Sequence, residues 1–242
     1  MQAAVFDTDG VVTDSAPAHE AAWKGAFDAC LAAAGRERRF ATEDYHRWVD
    51  GRSRLEGAEA FLAGCGLFLP PGRPGEPPGT GTVAAVAARK EELFSLWLGG
   101  HRVAPWPGTV RLVRALRREN VPCAAVSASR HATQALRSAG VLALFSAVVD
   151  GREATRLRLP GKPDPALFLE AVRRLGVPAS EAAVIEDATA GVEAGRRGGF
   201  ALVVGVDRVG GPGNAQALFR HGADRVVGDP GELLDEPPSE EE

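Results

Sequence analysis

Two aspartates separated by one residue, Asp7 and Asp9, are followed at once by Gly10. Further along the chain stand Ser127, then Lys162 in Gly161-Lys162-Pro163-Asp164-Pro165, then the acidic pair Glu186-Asp187. Carboxylates gathered at one place repel one another and lose hydration, so a cation is expected among them. Carboxylate oxygens with open coordination positions suit Mg²⁺, which keeps waters and accepts substrate phosphate; Asp7, the Asp9 carbonyl and Asp187 are its expected ligands. The chemistry that fits is phosphoryl transfer. Asp7 would act as nucleophile once Mg²⁺ and Lys162 offset its repulsion of an incoming phosphate. Asp9 would serve as general acid and base at the entering or leaving oxygen, and Ser127 with nearby main-chain amides would hold phosphate oxygens. Gly10 permits the tight turn that brings those amides close.

For these residues to meet, the chain must place them on one edge. Residues 3–7 read as a short buried strand, and apolar runs at 122–127, 146–150, 182–186 and 201–206 read as further strands. Helical patterns near 109–119, 130–139, 164–175 and 188–197 alternate with them. Near-continuous apolar strands alternating with helices predict an α/β fold, a Rossmann-like doubly wound parallel sheet covered on both faces. Chemistry then collects outside the carboxyl ends of the strands, where all the residues above fall. A helix opens at Ser15-Ala16-Pro17, with Ser15 near its N-cap and Trp23, Ala26, Phe27, Cys30, Leu31 and Ala34 on one face. Helices near 53–64 and 82–98 flank a Pro/Gly-rich loop at 70–79 that has no means of packing a core. The expected organisation is a core of residues 1–14 and 101–235, an inserted helical cap at 15–100, and a disordered acidic tail at 236–242.

Composition excludes several function classes. Over 242 residues, Lys+Arg 28 against Asp+Glu 32 gives a net charge of −4, which is no nucleic-acid-binding balance. No apolar run approaches a membrane span, no signal pattern opens the chain, and three scattered cysteines fit neither a disulfide framework nor a zinc site. A monomeric cytoplasmic enzyme acting on a small molecule is expected. The basic residues include just the lysines Lys24, Lys90 and Lys162. Where arginine is the default cation, each lysine is a candidate for a role needing a compact charge. A signalling receiver domain would share the carboxylates, hydroxyl and lysine. It would be about half this length, however, with its aspartate after the third strand and no cap.

Four stretches carry a resemblance: Phe6-Asp7-Thr8-Asp9-Gly10-Val11-Val12-Thr13-Asp14-Ser15, Val126-Ser127-Ala128-Ser129-Arg130, Gly161-Lys162-Pro163-Asp164-Pro165 and Ile185-Glu186-Asp187-Ala188. In this order, across nearly the whole chain, they resemble the haloacid dehalogenase-like superfamily. The resemblance implies Asp7 as nucleophile, Asp9 as acid/base, Ser127 and Lys162 as phosphate holders, and Asp187 with Glu186 as metal-side acids. The stretches Ala18-His19-Glu20-Ala21-Ala22-Trp23-Lys24, Gly51-Arg52-Ser53-Arg54 and Arg89-Lys90 are similar to the β-phosphoglucomutase and sugar-phosphatase group of that superfamily. By that likeness His19 couples cap closure to Asp9, Arg54 grips a distal phosphate, and Lys90 contacts the sugar. Gly51 and Ala128 are further expected substrate contacts. The implied reaction is Mg²⁺-dependent conversion of β-glucose 1-phosphate to glucose 6-phosphate, with sugar-phosphate hydrolysis as the alternative. Arg130-His131 stands where mutases often carry Lys-Asn, and the loop at 70–79 is absent from compact mutases.

Overall fold

The computed structural model describes residues 1–208, 210 and 212–234; the tail expected at 236–242 lies outside them. Among the described residues six strands form one parallel sheet: β1 (Ala3–Asp7), β2 (Cys123–Val126), β3 (Ala147–Val149), β4 (Ala182–Glu186), β5 (Leu202–Val206) and β6 (Arg225–Val227). Their order is β3-β2-β1-β4-β5-β6, so β1 sits between β2 and β4, where the winding of the sheet reverses. Asp7 pairs in register with Val126, which sets Ser127 beside the end of β1.

The strand sequence explains how the sheet is buried. Along β1, Ala3 and Val5 enter one apolar cluster with Leu167, Phe168 and Val192, while Ala4 and Phe6 enter another with Leu112 and Leu136. Successive side chains point to opposite faces, and both faces are covered by helices, so every second position can be apolar in two directions at once. The helices are α1 (Ala16–Ala33), α2 (Thr42–Asp44) running into a π-helical turn at Tyr45–Val49, α3 (Arg54–Gly64), α4 (Val83–Gly100), α5 (Pro107–Arg118), α6 (Ala132–Ser138), α7 (Gly151–Leu157), α8 (Ala166–Leu175), α9 (Thr189–Arg197) and α10 (Pro212–Arg220). The expected strands and helices are present. Sequence reading found neither β6, which offers just two apolar residues, nor α2 with its π-turn, α7 and α10.

The helices α1 to α4 carry an aromatic core of their own, in which Phe27 packs 4.2 Å from Phe61 and 5.1 Å from Phe40 between ring centroids. A smaller cluster of Ala18, Ala22, Phe94 and Leu98 meets Val103 and Ala135, joining these helices to the sheet layer. Two local expectations gain detail. Ser15 is the N-cap residue of α1, but its hydroxyl accepts no cap bond; it donates to Asp9 Oδ1 at 2.5 Å, a charge-assisted bond. The loop at 70–79 packs no core, as expected, and is tied down by hydrogen bonds. Glu76 accepts from Arg73 N at 2.8 Å and from the Thr82 hydroxyl, while Val83 N and Ala84 N donate to Pro70 and Pro71 carbonyls at 3.0 and 3.1 Å.

Candidate active site

Four loops at the carboxyl ends of β1, β2 and β4 and before α8 assemble the floor of the site. Asp7 ends β1, Ser127 follows β2, and Glu186 ends β4 with Asp187 beyond it. Lys162 is fully buried, and its ammonium donates to Asp7 Oδ1 and, at 2.6 Å, to Glu186 Oε2. Gly10 has φ +87°, and a Cβ there would collide with the Asp187 carboxylate, so only glycine lets the β1 loop lie against that acid. Thr8 reinforces the loop by donating its hydroxyl to the Val126 carbonyl at 3.0 Å.

The charge balance of this floor is incomplete. Burial, then Glu186, pushes the Asp7 carboxyl well above the usual carboxylate range, despite Lys162; burial and neighbouring acids do the same to Asp187. Burial would strip Lys162 of its proton, but Asp7 and Glu186 more than reverse this and hold it firmly charged. One ammonium therefore serves three acids. Oxygens of Asp7, Glu186 and Asp187 lie within 4.8 Å of one another, and such a hard, oxygen-only donor set fits a divalent cation. Glu186 is already engaged through Lys162 and by accepting from Ala188 N at 3.1 Å. Asp7 and Asp187 are thus the freer ligands. The Asp9 carboxylate is not among them, since it turns the other way, which leaves its carbonyl as the group expected to face a cation.

Asp9 is held by three partners. Its Oδ1 accepts from Ser15 Oγ at 2.5 Å and its Oδ2 from Ser127 Oγ at 2.7 Å, and His19 Nε2 lies 3.2 Å from Oδ1. Burial opposes the charge, but His19, Ser15 and Ser127 outweigh it and keep Asp9 below the usual carboxylate range. His19 comes from α1 and stacks on Phe94 at 3.8 Å. Lys90 Nζ lies 2.8 Å from His19 Nδ1. An ammonium can only donate, so Nδ1 accepts and the imidazole proton sits on Nε2, facing Asp9. Burial and then the Lys90 charge keep this histidine below its ordinary pKa.

The remaining wall is supplied by the inserted helices. Gly51 (φ +71°) ends the π-turn, and Ser53 caps α3 with reciprocal bonds to Glu56 at 3.4 and 3.3 Å. That capping box fixes Arg54 in the first helical turn, where it lines the cavity with Gly51, Arg52, Ala128 and Arg130. Lys90 is buried instead of lying on a solvated helix face, 4.7 Å over the Phe94 ring, and burial brings it down to about 8. Its neighbour Glu91 crosses to the sheet layer, 2.6 Å from His131 Nε2, and that contact holds Glu91 at about 2 against burial. All predicted site residues line one cavity: Asp7, Asp9, His19, Gly51, Arg54, Lys90, Ser127, Ala128, Lys162, Glu186 and Asp187. Sequence reasoning gave no role to Tyr45, Asp50 and Glu91, which share that wall; the one signal was Glu91's place next to Lys90. The cavity volume is about 60 Å³, small beside a sugar phosphate.

A doubly wound sheet whose strand ends present Asp7, Asp9, Ser127, Lys162 and Asp187 under a helical lid defines a class of enzyme. Residues 1–199 match the haloacid dehalogenase-like hydrolase family, and the chain belongs to it. Among curated proteins it is 38% identical over 240 residues to a β-phosphoglucomutase of Mycobacterium bovis, covering 97% of this chain and 92% of that one. It is 27% identical over 236 residues to a phosphorylated carbohydrates phosphatase of Thermotoga maritima, covering 97% of each. A solved β-phosphoglucomutase from Clostridium difficile shares the fold at a TM-score of 0.75 and 23% identity, covering 96% of this chain and 93% of that one. No described helix is long and apolar enough to cross a membrane.

Proposed function

We propose that this enzyme is a Mg²⁺-dependent phosphotransferase of the β-phosphoglucomutase type, converting β-glucose 1-phosphate to glucose 6-phosphate through a phosphorylated Asp7. The observation that carries this reading is that Arg54 and Arg130 line the same cavity as Asp7. The two guanidiniums are close enough for Arg130 to help lower the Arg54 pKa, after burial. Guanidinium groups opposite the nucleophile suit a molecule that keeps one phosphate while exchanging another. In this reading residues 15–100 form a cap that closes over a core of 1–14 and 101–235, swinging about 14–17 and 99–107. The enzyme works as a cytoplasmic monomer on a small sugar phosphate.

Bound Mg²⁺ at Asp7 and Asp187 supplies positive charge that draws a phosphate toward the nucleophile. Lys162 holds Asp7 Oδ1, leaving Oδ2 to carry the phosphoryl group. The depressed Asp9 begins as a base. It takes the proton from the sugar hydroxyl as that oxygen attacks phosphorus and the Asp7–phosphorus bond breaks. After the bisphosphate turns over, the protonated Asp9 returns this proton to the departing oxygen while Asp7 is rephosphorylated. His19 fixes Asp9 only when the cap is down, since it arrives on α1, so the acid/base is assembled by closure and stray water meets an incomplete site.

The test is incubation with β-glucose 1-phosphate, MgCl₂ and a trace of glucose 1,6-bisphosphate. Steady glucose 6-phosphate formation without matching phosphate release is expected. Stoichiometric release of free phosphate from several sugar phosphates would replace this reading by the phosphatase one, which the Thermotoga maritima relative favours.

A further inference from the structure

Asp50 is a carboxylate that the transfer chemistry above leaves without a task. It follows the π-turn Tyr45–Val49, half-buried, and lies in the wall of the catalytic cavity with Asp7, Glu186 and Asp187. With Asp187 and Tyr45 it also lines a second cavity of about 330 Å³, which reaches Gly10, Trp106 and Arg208 on the hinge side. Asp50 and Asp187 thus form part of the partition between the two. The contact behind them is tight. A Cβ on Gly51 would stand 2.9 Å from Ala188 Cβ, so the cap turn rests directly on the turn that follows Asp187.

This seating brings a fourth acid to three that already lack cations. Asp50 shares the wall of the catalytic cavity with Asp7, Glu186 and Asp187, and the wall of the second cavity with Asp187. The cations facing it do not answer the demand. Lys162 is bonded to Asp7 and Glu186, and His46, whose Nδ1 lies 3.3 Å from Asp50 Oδ2, is largely solvent-facing. Arg208 lies across the hinge-side cavity over the Trp106 ring and donates to the Gly10 carbonyl at 2.8 Å. Like charges brought together in a partly dry site oppose closure unless a cation arrives.

We propose that Asp50 is a cap-borne acidic partner of the divalent cation held by Asp7 and Asp187, acting through water, so that cation binding and cap closure reinforce each other. It is a positioning residue. Each event must strengthen the other by the same factor, because the coupling is reciprocal. The inference rests on reading the Asp7/Glu186/Asp187 cluster as a cation site, and its test separates the two.

The full-length protein is titrated calorimetrically with MgCl₂ alone, and hydrogen exchange over 45–54 is followed with and without the salt. Wild type is expected to bind Mg²⁺ and to gain protection in that segment. Asp50→Asn should bind Mg²⁺ roughly tenfold more weakly, the scale of a lost outer partner, and should lose the Mg²⁺-dependent gain. Without Mg²⁺ its segment should exchange more slowly than wild type, since the repulsion is gone; a damaged fold would exchange faster. Asp50→Glu and His46→Ala should retain the coupling. Equal affinity and equal protection gain in wild type and Asp50→Asn overturn the role of Asp50 alone. Absence of Mg²⁺ binding in wild type overturns the cation site itself.

Discussion

The floor and the lid of this site are built by different means. On the floor, Asp7, Ser127, Glu186 and Asp187 are fixed by strand register: the main chain of a buried parallel sheet sets their spacing. On the lid, His19, Arg54 and the pair Lys90-Glu91 stand on three separate helices whose common core is aromatic. They reach the reacting groups only through side chains, at His19–Asp9, Lys90–His19 and Glu91–His131 contacts. The difference implies a division of labour. Groups that must never move relative to one another are carried by the sheet, and groups that must leave for substrate to enter are carried by the insert.

Substitutions can break this contrast in order of size. Asp7→Asn should lower turnover by roughly 10⁴-fold or more, because no other group on the floor can form the bond to phosphorus; Mg²⁺-dependent steady-state kinetics measure it. Asp9→Asn should cost roughly 10²- to 10⁴-fold by removing the proton carrier, while calorimetric Mg²⁺ affinity stays near normal because the Asp9 carboxylate faces Ser15, Ser127 and His19. On the lid, Arg54→Ala should reduce kcat/KM for a sugar phosphate roughly ten- to a hundredfold, the value of a charge-assisted contact. Activity on p-nitrophenyl phosphate, which has no distal phosphate, should change only a few-fold. Equal losses on both substrates would place Arg54 in the fold and not in recognition.

Two smaller effects sharpen the picture of the lid. The Lys90 charge lowers the pKa of His19, so Lys90→Met should raise that pKa, read as an upfield-shifting titration of the imidazole by NMR at higher pH than in wild type. Glu91 is held at about 2 chiefly against burial by His131. Its folded pKa lies below the unfolded value of 4.5, so this contribution to stability is present above pH 4.5 and fades as pH falls toward 2. His131→Ala should therefore lower Tm modestly at pH 7, by about 1 kcal/mol equivalent, with the difference from wild type shrinking below pH 4.

The same contrast explains what could be read from the chain. Asp7, Ser127 and Asp187 were legible because each ends or follows an apolar run, and parallel strands force such ends onto one edge; Lys162 was legible from the turn Gly161-Lys162-Pro163 before a helix. On the lid, His19, Arg54 and Lys90 were legible only through the family likeness of three short stretches; the capping box that fixes Arg54 was not read from the chain. Lys90 is expected from that likeness as a sugar contact, but its burial against His19 depends on a partner 71 positions away. Tyr45 opens, and Asp50 follows, a π-helical turn whose sequence carries no 3.6-residue period to announce it. Strand β6 escaped notice because Arg225-Val226-Val227 is too short to show alternation. What the sequence hid is what tertiary packing decides.

The central claim is that Asp7 carries the transferred group. Mixing the enzyme with MgCl₂ and glucose 1,6-bisphosphate, then quenching with borohydride, should reduce an aspartyl phosphate to homoserine. Peptide mass spectrometry is predicted to find that change at position 7 alone and to find none in Asp7→Asn. Homoserine at another aspartate, or an unmodified position 7 in an enzyme that is turning over, would contradict the account.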